Sequence, residues 1–409
     1  MIKILHFADL HVGMENYGRI DPETGISSRI RDFLDRLDEV IAQAEKGEAD
    51  LILFAGDAFK TRDPDPTQQR EFATRVKKLA ALAPTLLLVG NHDVPGIAAR
   101  ATSVDIFNTL TVDNVIVGRK PEARVVETHH GPLFLAWMPF PVRNRLLAQE
   151  DSQGASIEEL DRAVEALVGE LLNGFAQQAA AHDMPRLLAG HFSVGGARFG
   201  SERSVMIGRD LVIPKAALAD PAWDYVALGH IHQHQNLAGV GERPPIVYSG
   251  SLERIDFGEE VETKGFCWVE LERGDTRWSF EPVAARPFRT LHVDARGEAD
   301  PTRQVIDRIA TRDLQGAVVR VAIQLDEGQE PTFRRREIEA ALNEAGAANI
   351  AGVTIDVDRT VRAPGIGGSA EALTPLQWLE RYFNAKGKAP ERQDLLLQAA
   401  TELLDDPET

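Results

Sequence analysis

Short apolar runs recur along the first two-thirds of the chain, and five of them stop on side chains that bind metals. Ile2 to Phe7 stops on Asp9 and His11, and Leu51 to Ala55 on Asp57. Leu86 to Val89 stops on Asn91 and His92, Leu187 to Ala189 on His191, and Tyr225 to Leu228 on His230 and His232. A continuous apolar run of this length predicts a strand buried on both faces. Between the runs the hydrophobic period becomes helical. Ser27 caps a helix carrying Ile30, Phe33, Leu34, Leu37, Val40 and Ile41, and Pro66 and Thr67 open another carrying Phe72, Val76, Leu79 and Leu82. Ser156 and Glu159 have the spacing of a capping box, for a third helix reaching about Ala181. Ile246 to Ser249 and Gly265 to Leu271 read as further strands. Alternation of this kind predicts an α/β layered fold with helices as its outer layers, over residues 1–284.

A second pattern begins near Arg286. It runs strand (Arg289 to Val293), helix (Pro301 to Thr311), strand (Ala317 to Leu325), helix (Thr332 to Ala345) and strand (Val353 to Val357). This predicts a small two-layer α/β unit over 285–361, with His292 as its only histidine and no ligand cluster. A lid or substrate-shaping role fits that content. Residues 362–373 are rich in Gly, Pro and small side chains and predict a linker. Over 374–409 two helical segments follow, Thr374 to Phe383 and Glu391 to Leu404. Their apolar positions, among them Leu376, Trp378, Leu379, Phe383, Leu395 and Leu396, form faces too wide for two short helices to bury on each other. A tethered helical hairpin with such faces predicts a docking site for another chain, the alternative being that it folds back on its own domain.

Composition narrows the setting. At 409 residues, two or three compact units are expected. The single cysteine, Cys267, cannot form an internal disulfide, and the chain opens directly on a strand without a signal-like segment, so a cytoplasmic protein is expected. The formal charge of −18 argues against diffuse attraction to nucleic acid or anionic lipid. Any such contact would then rest on local basic loops, bound metal or a partner.

The candidate chemistry lies at the strand ends. Side chains just beyond the carboxyl ends of parallel strands gather in one crevice of an α/β sheet. Eight residues spread from Asp9 to His232 are therefore expected to meet. Each of the four later runs passes through a glycine before its ligand, in Gly56-Asp57, Gly90-Asn91, Gly190-His191 and Gly229-His230. A lone histidine or strand-end aspartate is ordinarily structural, but five strand ends with one grammar point to a two-metal hydrolytic centre. Oxygen and imidazole donors without thiolate favour manganese, with iron, zinc and magnesium as the other candidates. His6, His129, His130 and His182 lack this placement and read as structural or surface residues, whereas His234 lies close enough to the rim to reach substrate.

These residues resemble the calcineurin-like metallophosphoesterase signature, D-x-H, G-D, G-N-H-D, G-H and G-H-x-H, with every element present in order. The resemblance implies a layered metallophosphoesterase sandwich, two sheets flanked by helices, with a small α/β capping domain and a C-terminal helical hairpin. It also implies one ion held by Asp9, His11, Asp57 and His232, and a second by Asp57, Asn91, His191 and His230, with Asp57 as the bridge. A shared carboxylate keeps two ions about 3.5 to 4 Å apart, where they can clamp both reacting oxygens of a phosphoryl group. His92 is then left outside both ligand sets and is the candidate catalytic residue, assisting the leaving oxygen. Asp93 is the candidate to orient His92 by a hydrogen bond.

Over nearly its whole length the chain is similar to the nuclease-subunit family of bacterial SbcCD complexes, related to archaeal and eukaryotic double-strand-break repair nucleases. The resemblance is carried by KILHFADLHVG, LILFAGDAF, VGNHD, YVALGHIHQHQ and IVYSGSLERIDFGE, then by the capping unit and helical tail. It implies a manganese-dependent DNA phosphodiesterase, acting as a 3′-5′ double-strand exonuclease and a single-strand and hairpin endonuclease. The implied assembly is a homodimer that joins SbcC, an SMC-like ATPase with long coiled coils, in a heterotetramer near the nucleoid. The helical pair would grip the base of that coiled coil. One departure stands out: where archaeal and eukaryotic relatives have a histidine three residues after the bridging aspartate, this chain has Lys60.

Arg19, Arg29, Arg31, Lys60, Arg62, Arg198, Arg203 and Arg209 lie in loops or helix starts after the ligand-bearing strand ends and are candidate phosphate contacts, although on an acidic chain surface ion pairs for the arginines, and a solvated loop position for Lys60, fit them as well. From Glu391 to Thr409 there are six acids against one base, Arg392, which suits a protein partner and not DNA. Helical segments Thr67 to Leu82 and Ser103 to Leu110 carry apolar faces that suit either dimerisation or core packing. A stand-alone enzyme acting on nucleotides or phosphoproteins, and a scaffold that has lost catalysis, are the competing readings. Intact ligands argue against the scaffold.

Overall fold

Alternate residues of each buried strand face two different cores, and this sets the layers. The computed structural model describes residues 1–95, 100–142, 156–200, 211–239, 241–358, 374–385 and 390–404. In chain order the first elements are β1 (Ile2–Phe7), α1 (Ser28–Gly47), β2 (Leu51–Phe54), α2 (Pro66–Leu82), β3 (Thr85–Leu88), α3 (Asp105–Thr109) and β4 (Val115–Gly118). They are followed by β5 (Glu122–Thr128), β6 (Gly131–Met138), α4 (Ile157–Ala180), β7 (Arg186–His191), β8 (Ser193–Val194), β9 (Val212–Ile213) and β10 (Tyr225–Gly229). Then come β11 (Gln235–Asn236), β12 (Ile246–Tyr248), β13 (Gly265–Glu272) and β14 (Asp275–Pro282). One six-stranded sheet has the order β14-β13-β1-β2-β3-β4, and a second has β11-β12-β10-β7-β6-β5.

The two sheets pack face to face between helices. Leu5, Phe7, Ile52, Phe54 and Leu87 meet Leu34, Leu37, Phe72 and Val76 of α1 and α2. Their neighbours Ile4, Leu51, Leu53, Leu86 and Leu88 turn the other way, onto Leu135, Trp137, Leu187, Ala189 and Ala227 of the second sheet. Phe134, Leu188 and Val226 in turn bury Val164, Val168 and Leu172 of α4. The result is an α/β sandwich of two sheets flanked by helices, and truncating one such leucine to alanine would cost about 2–5 kcal/mol. Ser27 caps α1 as expected, by accepting from the N–H of Arg29, and Ser156 and Glu159 close the capping box on α4. At α2 the cap is Asp65, whose box partner is Gln68.

β1, β2, β3 and β4 run parallel, as do β6, β7, β10 and β12. Their carboxyl ends therefore share one edge of the sandwich. His6 shares the inward face of β1 with Ile4 and Ala8 and lies fully buried between the sheets, bonded to the Tyr225 hydroxyl and the Leu228 carbonyl. Burial drives its pKa down to about 3, so it is a neutral structural residue.

Farther along, β15 (Phe288–Asp294), α5 (Pro301–Ala310), β16 (Val318–Asp326), α6 (Arg335–Glu344) and β17 (Asn349–Asp358) form a parallel three-stranded sheet with two helices. One face of that sheet buries Val293, Val321 and Ile323 against Val305, Ile309, Ile338 and Leu342 of the helices. The opposite face rests on the sandwich through Phe288 and Val318, which pack with Phe257 and Tyr17. The linker expected at 362–373 lies outside the described residues. Beyond it α7 (Pro375–Ala385) and α8 (Pro390–Leu404) pack on each other. Phe383 is buried there, Leu376 and Leu379 are half-buried, and Leu395 and Leu396 stay exposed; the side chain of Trp378 is outside the described set. No helix among the described residues is long and apolar enough to cross a membrane.

Candidate metal centre

Where the parallel strands end, the backbone turns sharply enough to place four candidate ligands in the left-handed region. Asp9 has φ 54°, His11 48°, Asp57 62° and His230 96°. Such conformations cost non-glycine residues on the order of 1–3 kcal/mol each and persist only where the surroundings fix them. Here the surroundings are explicit. The N–H groups of Asp9, Leu10 and His11 donate to the carbonyls of Gly56 and Asp57, and the His230 N–H donates to the Asp9 carboxylate at 3.0 Å. The glycines before the ligands make room for their neighbours. A Cβ on Gly56 would lie 2.3 Å from His191 Nδ1, and one on Gly90 2.1 Å from Asp57 Oδ1.

Seven expected ligands converge. His11 Nε2 and His232 Nε2 face each other at 3.1 Å. His191 Nε2 lies 3.1 Å from Asn91 Oδ1 and 3.4 Å from Asp57 Oδ2, while His230 Nδ1 lies 2.9 Å from the same Asn91 oxygen. Donor atoms of Asp9, His11 and His232 fall within 4.8 Å of one another, as do those of Asp57, His191 and His230. Asp57 also stands 3.7 Å from His11, between the two groups. All these residues except Asn91 are buried.

The donor set fits divalent cations. His191 gives its Nδ1–H to the Ala55 carbonyl at 2.6 Å, so its Nε2 presents a lone pair to two oxygens. His232 gives its Nδ1–H to Glu259 at 2.8 Å, and its Nε2 then opposes that of His11. Electron-rich atoms face one another at both places, an arrangement that a proton or a cation must relieve. Without metal, protons fill this role. Burial would push His191 down, but the charge and hydrogen bond of Asp57 lift it to about 9. Burial opposes ionisation of Asp57 too, yet His191, His92 and His11 together hold its carboxyl well below the usual range. His11 is pushed well below its ordinary value, chiefly by burial.

His92 joins His11 and Asp57 in a third group with donor atoms within 4.8 Å. Its Nδ1 lies 2.7 Å from the Lys60 carbonyl. Asp93 does not orient it. That carboxylate is buried and turns away, accepting from the N–H groups of Asp57, Ala58 and Gly90 and from the Ser103 hydroxyl. Asp93 thus fixes the two loops that carry Asp57 and Asn91.

Three further residues stand beside the centre, Glu259, Lys264 and Phe140. Glu259 holds His232 and is itself bonded to the buried Lys264 at 3.0 Å. Phe140, just past the end of β6, lies 5.8 Å ring to ring from His230. Glu259 belongs to the SGSLERIDFGE stretch, and Phe140 follows an apolar run that has no ligand; the signal for these two was a motif and a pattern, and for Lys264 there was none.

The basic candidates divide. Arg29 is buried, paired with Asp32 at 2.6 Å and bonded to the Arg254 carbonyl, with Glu253 also beside it at that helix start. Arg31 pairs with Asp21 at 3.0 Å. Burial removes Arg29 as a phosphate contact, whereas Arg31 stays exposed in a surface ion pair. Arg19, Arg62 and Arg198 keep solvent access, while Arg203 and Arg209 lie outside the described residues. His234, half-buried, stacks on Phe280 at 4.1 Å and donates its Nδ1–H to the Tyr248 carbonyl.

Residues 2–234 match the calcineurin-like phosphoesterases, and the chain belongs to that family. It is similar to a Rhodobacter capsulatus protein named as a subunit of nuclease SbcCD, with 28% identity over 386 residues, 88% of this chain and 89% of that one. A Bacillus subtilis protein of the same name is 27% identical over 283 residues, 67% of each chain. Among solved structures, a dimetal phosphatase from Danio rerio aligns with a TM-score of 0.40 and 10% identity, covering 68% of this chain and 98% of that one.

Proposed function

We propose that this chain is a two-metal DNA phosphodiesterase, most active with Mn²⁺, that shortens double-strand ends as a 3′-5′ exonuclease and opens single strands and hairpins. The observation that carries the chemistry is the facing of His191 Nε2 with the oxygens of Asp57 and Asn91 while its Nδ1 is tied to Ala55. Asp9, His11, Asp57 and His232 would hold one cation, and Asp57, Asn91, His191 and His230 the other. When bound, the pair supplies an electrophilic clamp on the phosphodiester and a nucleophile at neutral pH. His92, with Nδ1 committed to Lys60, keeps Nε2 for proton exchange with the leaving oxygen.

The choice of DNA is supported by similarity to the two nuclease relatives along most of this chain. On this reading residues 1–284 form the nuclease unit, 285–361 cap the substrate, and 374–409 dock on the coiled coil of an SbcC-type ATPase within a dimer-based complex. The exposed Leu395 and Leu396 suit that docking. With a net charge of −18, DNA contacts must be local, and Arg19, Lys60, Arg62, Arg198 and Arg203 are the candidates. Incubation with Mn²⁺, a labelled hairpin duplex and, in parallel, a generic phosphomonoester tests the proposal. Cleavage of the hairpin, lost in Asp57→Asn, is expected; cleavage of the monoester alone would contradict it.

A further inference from the structure

Glu259 and Glu260 are neighbours, yet they serve different parts of the molecule. Glu259 closes the short 3-10 turn Phe257–Glu259 and points inward, 2.8 Å from His232 Nδ1. Its other oxygen accepts from the Ile255 N–H and the buried Lys264. Glu260 points outward to β15 of the three-stranded unit, accepting from the Thr290 N–H at 2.8 Å and the Thr290 hydroxyl at 2.5 Å. The Thr290 hydroxyl in turn receives Arg320 Nε at 2.8 Å, and the Arg320 guanidinium lies 4.3 Å over the Phe257 ring. Phe257 also packs edge-on against Phe288. The contacts form a closed ring, Phe257, Glu260, Thr290, Arg320 and back to Phe257, on the turn that holds a candidate metal ligand.

Arg254 braces the same segment. It donates to the carbonyls of Glu259 and Glu262 on one side and of Arg286, at the root of the second unit, on the other. The Arg254 guanidinium thus ties the Glu259 backbone carbonyl to the root of the second unit.

We propose that the turn Phe257–Glu259 couples the seating of the 288–358 unit to cation binding, with Glu259 as the positioning residue for His232. Glu259 fixes the tautomer that directs Nε2 toward His11, and the ring through Arg320 fixes Glu259. The inference rests on the two-cation reading above. Its consequence is that changes in the second unit, remote from every ligand, alter metal affinity.

Titration of the metal-free full chain with Mn²⁺, read by the EPR signal of the free ion, tests this. Thermal unfolding of the metal-free protein is measured alongside. Glu259→Gln is expected to weaken one of the two sites about tenfold. Arg320→Ala and Glu260→Ala, which touch no ligand, are expected to weaken the same site about fivefold, with the melting of the metal-free protein little changed. If Glu259→Gln fails to fold, the other two variants decide. Wild-type affinity in both would overturn the coupling even though the native chain binds two ions. A native chain that binds no Mn²⁺ would instead remove the two-cation reading, and this inference with it.

Discussion

His92 donates its Nδ1–H to the carbonyl of Lys60 at 2.7 Å, while its backbone N–H donates to Asp57 Oδ1 at 2.8 Å. The residue is thereby tied at both ends to the loop that carries the proposed bridging carboxylate. Its tautomer is set by the carbonyl of Lys60.

His92→Asn is accordingly expected to keep both cations and to lower hydrolysis about 10²–10⁴-fold, the range for loss of a positioned acid or base. Mn²⁺ titration beside single-turnover cleavage of a labelled duplex separates the two effects. Full turnover with both ions bound would show that His92 has no chemical part.

Asp93 is expected to matter for stability before chemistry. Asn at this position would turn an NH₂ group toward backbone N–H groups that now share a carboxylate. Leaving those buried donors unpaired costs about 1–3 kcal/mol. Urea unfolding of metal-free Asp93→Asn should show a loss of that size; an unchanged midpoint would mean the loops hold without it.

Cation binding should release protons. The folded pKa of His191 is about 9 against an ordinary 6.5, so near neutrality its Nε2 carries a proton that a cation must displace. From this group alone, apparent affinity should rise about tenfold per pH unit below pH 9 and level off above it. The same shift stabilises the metal-free fold fully below about pH 6.5, and that increment fades as pH rises through 9. Calorimetry in buffers of different ionisation enthalpy reads the protons directly; no buffer dependence at pH 7 would contradict the assignment.

Leu395→Asp in α8 is expected to abolish capture of the SbcC coiled coil while leaving Mn²⁺-dependent cleavage of a short hairpin within about twofold of native, since surface changes remote from a site rarely move it. Leu395 is 70% exposed, so the variant should fold. Pull-down with the purified coiled-coil base, alongside the cleavage assay, checks both halves. Retained capture would place docking elsewhere.

The strand-end ligands were legible because burial and spacing act locally: an apolar run fixes the strand, and its end fixes where the next side chain goes. Interactions across long stretches of chain were not. Arg29 at a helix start reads in sequence as either a phosphate contact or one half of an ion pair, and only the fold brings Asp32 and Glu253 around it. Asp93 follows His92 in sequence, but its side chain leaves in the opposite direction, toward the N–H groups of Gly90 and Asp57. Glu259 sits on a turn with no periodicity of its own, and only folding brings it to His232. β4, β5 and β6 passed unnamed because no ligand marks their ends.

On the two-cation reading one carboxylate, Asp57, serves both ions. Counting Mn²⁺ bound per chain at saturation, by EPR, tests it most directly. Two ions are expected in the native protein, one in Asn91→Ala, and none held tightly in Asp57→Ala. An Asp57→Ala chain that still binds one ion with native affinity would contradict the shared-carboxylate centre.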